Sequence, residues 1–251
     1  MTEAGGTART ALVTGGSRGL GRACADTLAA SGAHVVVAAR DKSAIDLAVA
    51  DIKAAGGSAE GLVLDVSQPA AIRAAYASLD EAGHTPNIVV NAAGVFRLGG
   101  IRRVSEQDWA EVSAVNATST LVSCQEAVAR MRVAGGGRII NICSVAGALR
   151  GVPSAIAYGM SKGAVAALTR CLAVEVAADG ITVNAIAPGM FYTEMTDGFR
   201  SADGGEWALS RFPMQRWGRP EELGGLVGHL ASAEGGFITG QVLAVDGGWT
   251  G

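Results

Sequence analysis

Short apolar runs alternate with longer amphipathic stretches along almost the whole chain. Thr10–Thr14, His34–Ala39, Gly61–Leu64, Ile88–Asn91, Arg138–Cys143, Thr182–Ala187 and Val242–Val245 are rich in Val and Ile at consecutive positions and read as strands. Helical periodicity runs through Gly19–Ala30, Ser43–Ala55, Pro69 to about Ala82, Ser105–Val133, Ala155–Ala178 and Pro220–Ala231, with a break expected near the start of the long Ser105–Val133 stretch. Strands that are apolar on both faces belong in a parallel sheet covered by helices on both sides. The repeated βα units predict an α/β, doubly wound Rossmann-type parallel sheet of about seven strands with helices on both faces. No linker, repeat or low-complexity tract divides the chain, so one domain is expected over residues 1–251. One segment, Met190–Trp217, breaks the rhythm: it places Phe191, Tyr192, Phe199, Trp207, Phe212 and Trp217 among Gly and polar residues. Such a stretch late in an α/β domain reads as a substrate loop inserted at about 190–217.

Composition supports this picture and removes several function classes. Hydrophobic residues make up 49% of the 251 and charged residues 17%, which is ample for a buried core. The formal charge is -3 and no run of Lys or Arg occurs, so nucleic acid and anionic membrane are poor partners. The N-terminal residues lack the apolar stretch of a signal peptide, and no segment has the roughly 20 apolar residues of a membrane helix, so a cytoplasmic protein is expected. Cys24, Cys124, Cys143 and Cys171 show no metal-like spacing and read as small buried hydrophobes in a reducing compartment. His34, His84 and His229 are scattered in the sequence and read as surface or packing residues, so no metal is expected.

The first strand runs directly into Thr14-Gly15-Gly16-Ser17-Arg18-Gly19-Leu20-Gly21, which opens a helix. Glycines there permit a tight turn and close approach of a pyrophosphate, and the helix N-terminus favours negative charge. In this strand–turn–helix context the motif reads as dinucleotide binding. At the end of the second strand an acid would hold the adenosine ribose hydroxyls and repel a 2′-phosphate. The chain has Ala39 there, then Arg40, with Arg18 able to reach the same place, and two guanidiniums favour NADP(H). Asp41 is the competing feature, since its carboxylate could engage a ribose instead. Asp65, at the end of the third strand before Val66, fits either an adenine contact or the start of the next helix.

Tyr158 and Lys162 lie four positions apart in a helical stretch and so share a face. A cation near a phenol stabilises phenolate and creates an acid/base that works nearer neutral pH. By itself the spacing equally fits an ordinary amphipathic helix. Ser144 at the end of the fifth strand changes that, because the carboxyl ends of parallel strands are where such sheets bind ligands. Together with Asn91-Ala92-Ala93-Gly94 after the fourth strand, Asn116 in the long helix and Pro188-Gly189-Met190-Phe191-Tyr192-Thr193 after the sixth, the chain resembles the short-chain dehydrogenase/reductase family from about Thr10 to Trp249.

That resemblance implies roles residue by residue. Tyr158 would exchange the proton with the carbonyl or alcohol oxygen, and Ser144 would hold that oxygen. Lys162 would bind the nicotinamide ribose and lower the Tyr158 pKa. Asn116 would hold, through its backbone, a water that links Lys162 to solvent. Gly15, Ser17, Arg18, Gly19, Leu20 and Gly21 would take the phosphates, and Asp65 and Val66 the adenine. Asn91, Ala92 and Gly94 would line the cofactor and brace the sheet, Ile186 would shield one nicotinamide face, and Pro188, Gly189 and Thr193 would meet its carboxamide end. The cofactor implied is NADP(H), the assembly a homotetramer.

A substrate wall of Phe96, Val145, Leu149, Val152, Phe191, Tyr192 and Trp207 is mostly apolar, with Arg97 and Arg150 as the only cations in reach. It suits a hydrophobic or 3-oxoacyl-type ketone better than a phosphorylated sugar. Among family members the chain looks most like 3-oxoacyl-carrier-protein reductases, and Pro213–Glu222 also resembles gluconate 5-dehydrogenase-like members, leaving a sugar-acid or polyol substrate as the alternative. A non-catalytic NADP-binding sensor or scaffold is the competing reading from another class. Such proteins usually lose Tyr, Lys or Ser, and this chain keeps all three.

Overall fold

The structure is a computed structural model that describes residues 9–200, 204–210 and 212–251, apart from a few side chains between 199 and 208. Seven strands form one all-parallel sheet: β1 (Thr10–Thr14), β2 (His34–Ala39), β3 (Ser58–Val63), β4 (Ile88–Asn91), β5 (Gly137–Ile142), β6 (Ile181–Pro188) and β7 (Val242–Val245). Their spatial order is β3-β2-β1-β4-β5-β6-β7. The chain runs outward from β1 to β3, returns to β4 beside β1, and continues to the other edge. The crevice above β1 and β4 is therefore the switch point at which doubly wound sheets bind ligands.

The helices are α1 (Gly19–Ala30), α2 (Lys42–Ala54), α3 (Pro69–Glu81), α4 (Glu106–Ser113), α5 (Ser119–Ala134), the single turn α6 (Val145–Ala148), α7 (Ile156–Val176), α8 (Asp197–Arg200), α9 (Gly204–Leu209) and α10 (Pro220–Leu230). Alternate strand residues serve two cores, which is why the strands look apolar throughout. Val13, Val35, Val37, Val90 and Ile140 face one layer with Leu28 of α1 and Leu223 and Val227 of α10. Leu12, Val36, Val89, Ile139 and Val183 face the other, with Tyr76 of α3, Val128 of α5 and Val176 of α7. Among the described residues no helix is long and apolar enough to cross a membrane.

Three local expectations need correction and one is met. β3 starts at Ser58 rather than Gly61; it is an edge strand whose exposed Ser58 and part-exposed Glu60 hide it from a hydrophobic pattern. The break expected near the start of the long Ser105–Val133 helix is there, as a wide π-helical turn at Ala114–Thr118. The 190–217 segment carries two short helices, α8 and α9. Cys24, Cys124 and Cys143 are buried as expected, but Cys171 is exposed, because it falls on the outer face of α7.

A polar chain runs through the second core. Asn91 Nδ2 donates to Asn141 Oδ1 at 2.9 Å, and Asn141 Nδ2 donates to Thr169 Oγ1 at 3.0 Å. It ties β4 to β5 and β5 to α7, the three elements that end at the crevice. Buried polar groups of this kind are stable only when paired. Asn141→Ala should therefore cost about 2–4 kcal/mol, from the orphaned donor of Asn91 and the cavity left behind. Urea unfolding checks this, and a loss below about 0.5 kcal/mol, the size of an ordinary surface change, would contradict it.

Candidate active site

The carboxyl end of β5 leads into Ser144, whose hydroxyl caps α6 by accepting from the Ala146 amide at 3.1 Å. That leaves the hydroxyl proton free to donate elsewhere. Its neighbour is the Tyr158 phenol, whose pKa the Ser144 hydroxyl pulls down. The reason the two meet is steric. Gly147 has φ +85°, and a Cβ there would run into the carbonyl of Gly159, one residue after Tyr158; a Cβ on Gly163 would stand 3.0 Å from the Gly147 carbonyl. Gly159 and Gly163 thus clear one side of α7, and the Ser144 loop lies on it backbone to backbone. Neither this glycine pair nor Gly147 was singled out from the sequence, although two glycines four apart in a helix are a readable sign of close packing.

Lys162, one turn after Tyr158, is 4% exposed. Its Nζ donates to the Ile142 carbonyl at 2.8 Å and stands 5.9 Å from the centre of the Tyr158 ring. Burial pushes the lysine down to about 8, so it is still largely protonated at neutral pH. Burial pushes the Tyr158 phenol up to about 12, with the Ser144 hydroxyl pulling the other way and Cys143 adding to the rise. The lowering of Tyr158 expected from Lys162 is not seen. The ammonium is committed to a backbone carbonyl, and the loss of hydration outweighs what its charge supplies.

Asn116 sits in the π-helical turn and is fully buried. Its Oδ1 accepts from the Val95 amide at 2.8 Å, and its Nδ2 donates to the Val95 carbonyl at 2.9 Å and to Ser161 Oγ at 3.0 Å. Ser161 in turn donates to the Tyr158 carbonyl at 2.7 Å. Asn116 therefore clamps the loop after β4 to the helix bearing Tyr158, and Ser161 is a link that sequence reasoning missed. Gly94 lies at the same point: a Cβ there would touch Asn116 Oδ1 at 3.4 Å and Lys162 Nζ at 3.5 Å. Wide turns of this kind often mark functional sites.

Beside this cluster is the glycine turn. A Cβ on Gly15 would stand 2.9 Å from the Ala93 backbone, and one on Gly21 would collide with the Gly15 carbonyl, so turn, helix and β4 loop meet with no room for side chains. The N-terminus of α1 has no side-chain cap and no acid in its first turn. Thr193 approaches Gly19, whose Cβ would lie 3.5 Å from its methyl, and a cavity of about 350 Å³ opens there between α1 and the Tyr192–Glu194 segment. Pro188 ends β6, and the Gly189 amide donates to the Val245 carbonyl at 2.9 Å.

At the end of β2, Ala39 is followed by exposed Arg40. Asp41 is the N-cap of α2: its Oδ1 accepts from the Ser43 amide at 2.9 Å and the Ser43 hydroxyl at 2.6 Å. Asp65 Oδ1 accepts from the Ser67 amide at 3.0 Å, and the Arg40 charge helps hold it below the usual carboxylate range, after the Ser67 hydrogen bonds. Arg18 reaches across to Glu194 at 3.0 Å, a pair with both side chains about two-thirds exposed.

The expected substrate wall divides. Phe96 packs edge-on to Tyr158 with centroids 4.7 Å apart, and Leu149 and Tyr192 are exposed. Phe191 and Val145 are not wall residues: each is at most 3% exposed. Phe191 packs into the main core against Gly218, and Val145 packs with Cys143 and Val165. The Trp207 and Phe199 side chains lie outside the described residues. Arg97 pairs with Glu111 at 2.7 Å, and Arg150 donates to the Trp249 carbonyl and lies over its ring, so both cations have partners of their own. His34 and His84, scattered in sequence, are brought together at the far end of the sheet.

The family model described as enoyl-(acyl carrier protein) reductase matches residues 15–250. The chain belongs to the short-chain dehydrogenase/reductase family. It is 40% identical to the short-chain reductase protein NovJ of Streptomyces niveus, over 95% of this chain and 92% of that one. It is 38% identical to a 3-oxoacyl-[acyl-carrier-protein] reductase of Synechocystis sp., over 96% and 97%. Its fold superposes with a TM-score of 0.92 on a gluconate 5-dehydrogenase from Burkholderia cenocepacia in complex with NADP and tartrate, 36% identical over 96% of this chain and 95% of that one. As in other members of this oxidoreductase family, the sheet is a Rossmann type.

The buried lysine has a measurable signature. Its folded-state value, about 8, lies below its ordinary 10.5, so between those pH values the unfolded chain binds more protons and stability rises with pH. Relative to Lys162→Met, the wild-type protein should gain on the order of 3 kcal/mol from about pH 7 to pH 10.5. Urea unfolding of both proteins across that range tests it; a difference that does not vary with pH would contradict it.

Proposed function

We propose that this chain is an NADP(H)-dependent oxidoreductase that interconverts a ketone and a secondary alcohol, with a hydrophobic or 3-oxoacyl-type carbonyl as substrate. The observation that carries the reading is the convergence of Ser144, Tyr158 and Lys162 at the carboxyl end of the sheet, beside a glycine turn and an uncapped helix N-terminus. The residues fit the cofactor. Close-packed glycines leave room only for a ligand against the backbone, and the α1 amides favour its phosphates. Asp41 is engaged in capping α2, so no acid competes at the end of β2, and Arg40 stands ready for a 2′-phosphate. Arg18 would exchange its exposed partner Glu194 for that dianion, since an exposed ion pair contributes only about 0–1 kcal/mol.

When bound, NADP(H) supplies or accepts the hydride. The chain handles the proton. Tyr158 Oη gives its proton to the carbonyl oxygen as the carbinol forms, and Ser144 Oγ donates a hydrogen bond to that oxygen as negative charge develops on it. Lys162 would hold the nicotinamide ribose hydroxyls, leaving the Ile142 carbonyl to do so. Asn116 and Ser161 keep α7 and the β4 loop in register so that the phenol stays aimed. A phenol held near 12 is fully protonated at neutral pH, which suits carbonyl reduction. Phe96, Leu149 and Tyr192 around it, with Arg97 and Arg150 engaged elsewhere, favour an uncharged carbonyl end. The sugar-acid alternative is favoured by the relatives named gluconate 5-dehydrogenase.

The same reading treats residues 1–251 as one functional domain and assigns the chain to the cytoplasm as a homotetramer. Leu121 of α5, Val174 of α7 and Phe237 before β7 support the assembly, since they leave apolar surface on the elements expected at its contacts. The reading is tested by following NADPH oxidation over a panel containing 3-oxoacyl thioesters, simple aryl and alkyl ketones and 5-keto sugar acids. Turnover is expected with the thioesters or apolar ketones, with kcat/KM at least about tenfold higher for NADPH than NADH, and Arg40→Asp should erode that preference. Tight NADPH binding without turnover of any carbonyl would instead identify a sensor or scaffold.

A further inference from the structure

At the amino-terminal end of the sheet, opposite the active site, three elements meet. His34 opens β2, Glu60 lies on the neighbouring edge strand β3, and His84 follows the glycine that ends α3. His34 pairs with Ser58 in the β2–β3 register and Val36 with Glu60, so His34, Ser58 and Glu60 point to the same face, the one α3 covers. One nitrogen or oxygen from each of His34, Glu60 and His84 lies within 4.8 Å of the other two. His34 Nδ1 is 2.8 Å from Ser58 Oγ, whereas its Nε2 is buried without a hydrogen-bond partner and faces Glu60 Oε1 at 3.5 Å. With Nδ1–H donating to Ser58, Nε2 presents a lone pair toward a carboxylate. Two electron-rich atoms at that separation are favourable only with a metal cation or a proton between them.

We propose that His34, Glu60 and His84 form a binding site for a divalent transition-metal ion of the zinc class, with a water as fourth ligand. Two imidazoles and one carboxylate match zinc rather than magnesium or calcium, which prefer oxygen ligands alone. Tetrahedral zinc with N and O ligands sets its ligand atoms about 3.3–3.5 Å apart. The His34–Glu60 separation already meets that spacing. His84 Nδ1, at 2.7 Å from Glu60 Oε1, has to open by about 0.6 Å, and its ring, 37% exposed at a helix end, is free to turn. Ser58 is the outer partner that fixes the tautomer and aim of His34, as such partners commonly do for metal-bound histidines.

The test is calorimetric titration of Zn²⁺ into chelator-washed full-length protein carrying Cys171→Ser, which removes the one exposed thiol among the described cysteines. One saturable equivalent is expected, together with a rise in Tm. His34→Asn and His84→Asn should each weaken binding by about tenfold or more, and Ser58→Ala by about tenfold. Circular dichroism and ketone turnover of His84→Asn should match the parent, since the cluster lies at the opposite end of the sheet from Tyr158, and Co²⁺ should give the visible absorption of a four-coordinate site. No saturable uptake, which would leave a proton on His34 as the bridging cation, would overturn the proposal. So would uptake that the histidine variants leave unchanged.

Discussion

The contact on which the site depends is a backbone-to-backbone approach: the Ser144 loop lies against α7 where Gly147 meets Gly159. A single methyl at Gly147 would collide with the Gly159 carbonyl, and it would also have to adopt a left-handed conformation. Because the loop seats so closely, the hydroxyl at the end of β5 reaches the phenol on the helix without any long, flexible side chain between them. Position is fixed by main chain at both ends, which is the most economical way to hold catalytic groups to a fraction of an ångström. The buried Asn91–Asn141–Thr169 chain serves the same end from below, tying the strands to α7.

The electrostatics follow from that enclosure. Lys162 is held in a nearly dry place by a carbonyl, and Tyr158 is shielded by Phe96 and the Ser144 loop. Burial drives the two groups apart, the lysine down to about 8 and the tyrosine up to about 12, and both remain largely protonated at neutral pH. A phenol in that condition is an acid awaiting a carbonyl oxygen. The Ser144 hydroxyl already favours its conjugate base, and additional positive charge brought to the site would do the same.

Much of this was readable from the chain, and the reasons for the misses are specific. The parallel sheet was legible because each strand serves two cores and so shows an unbroken apolar run; β3 was misplaced because an edge strand carries polar residues such as Glu60. Tyr158, Lys162, Ser144 and the glycine turn were legible because their chemistry is tied to sequence-local geometry, a helical repeat or a strand-to-helix turn. Phe191 and Val145 were misread as wall residues because burial depends on partners far along the chain, Gly218 for one and Val165 for the other. The meeting of His34, Glu60 and His84 was invisible for the same reason: strand register and the end of α3 bring them together.

The central claim is that Tyr158 is the proton donor and that the fold around it exists to aim it. The most direct measurement is single-turnover reduction of an accepted ketone by Tyr158→Phe and by wild-type protein, with NADPH affinity measured for both. Phe keeps the ring and its contact with Phe96 and removes only the hydroxyl. The account predicts that NADPH binds the variant within about a few-fold of wild type, while the rate of reduction falls by about 10²-fold or more. A variant that binds NADPH normally and still reduces the ketone at close to the wild-type rate would contradict it.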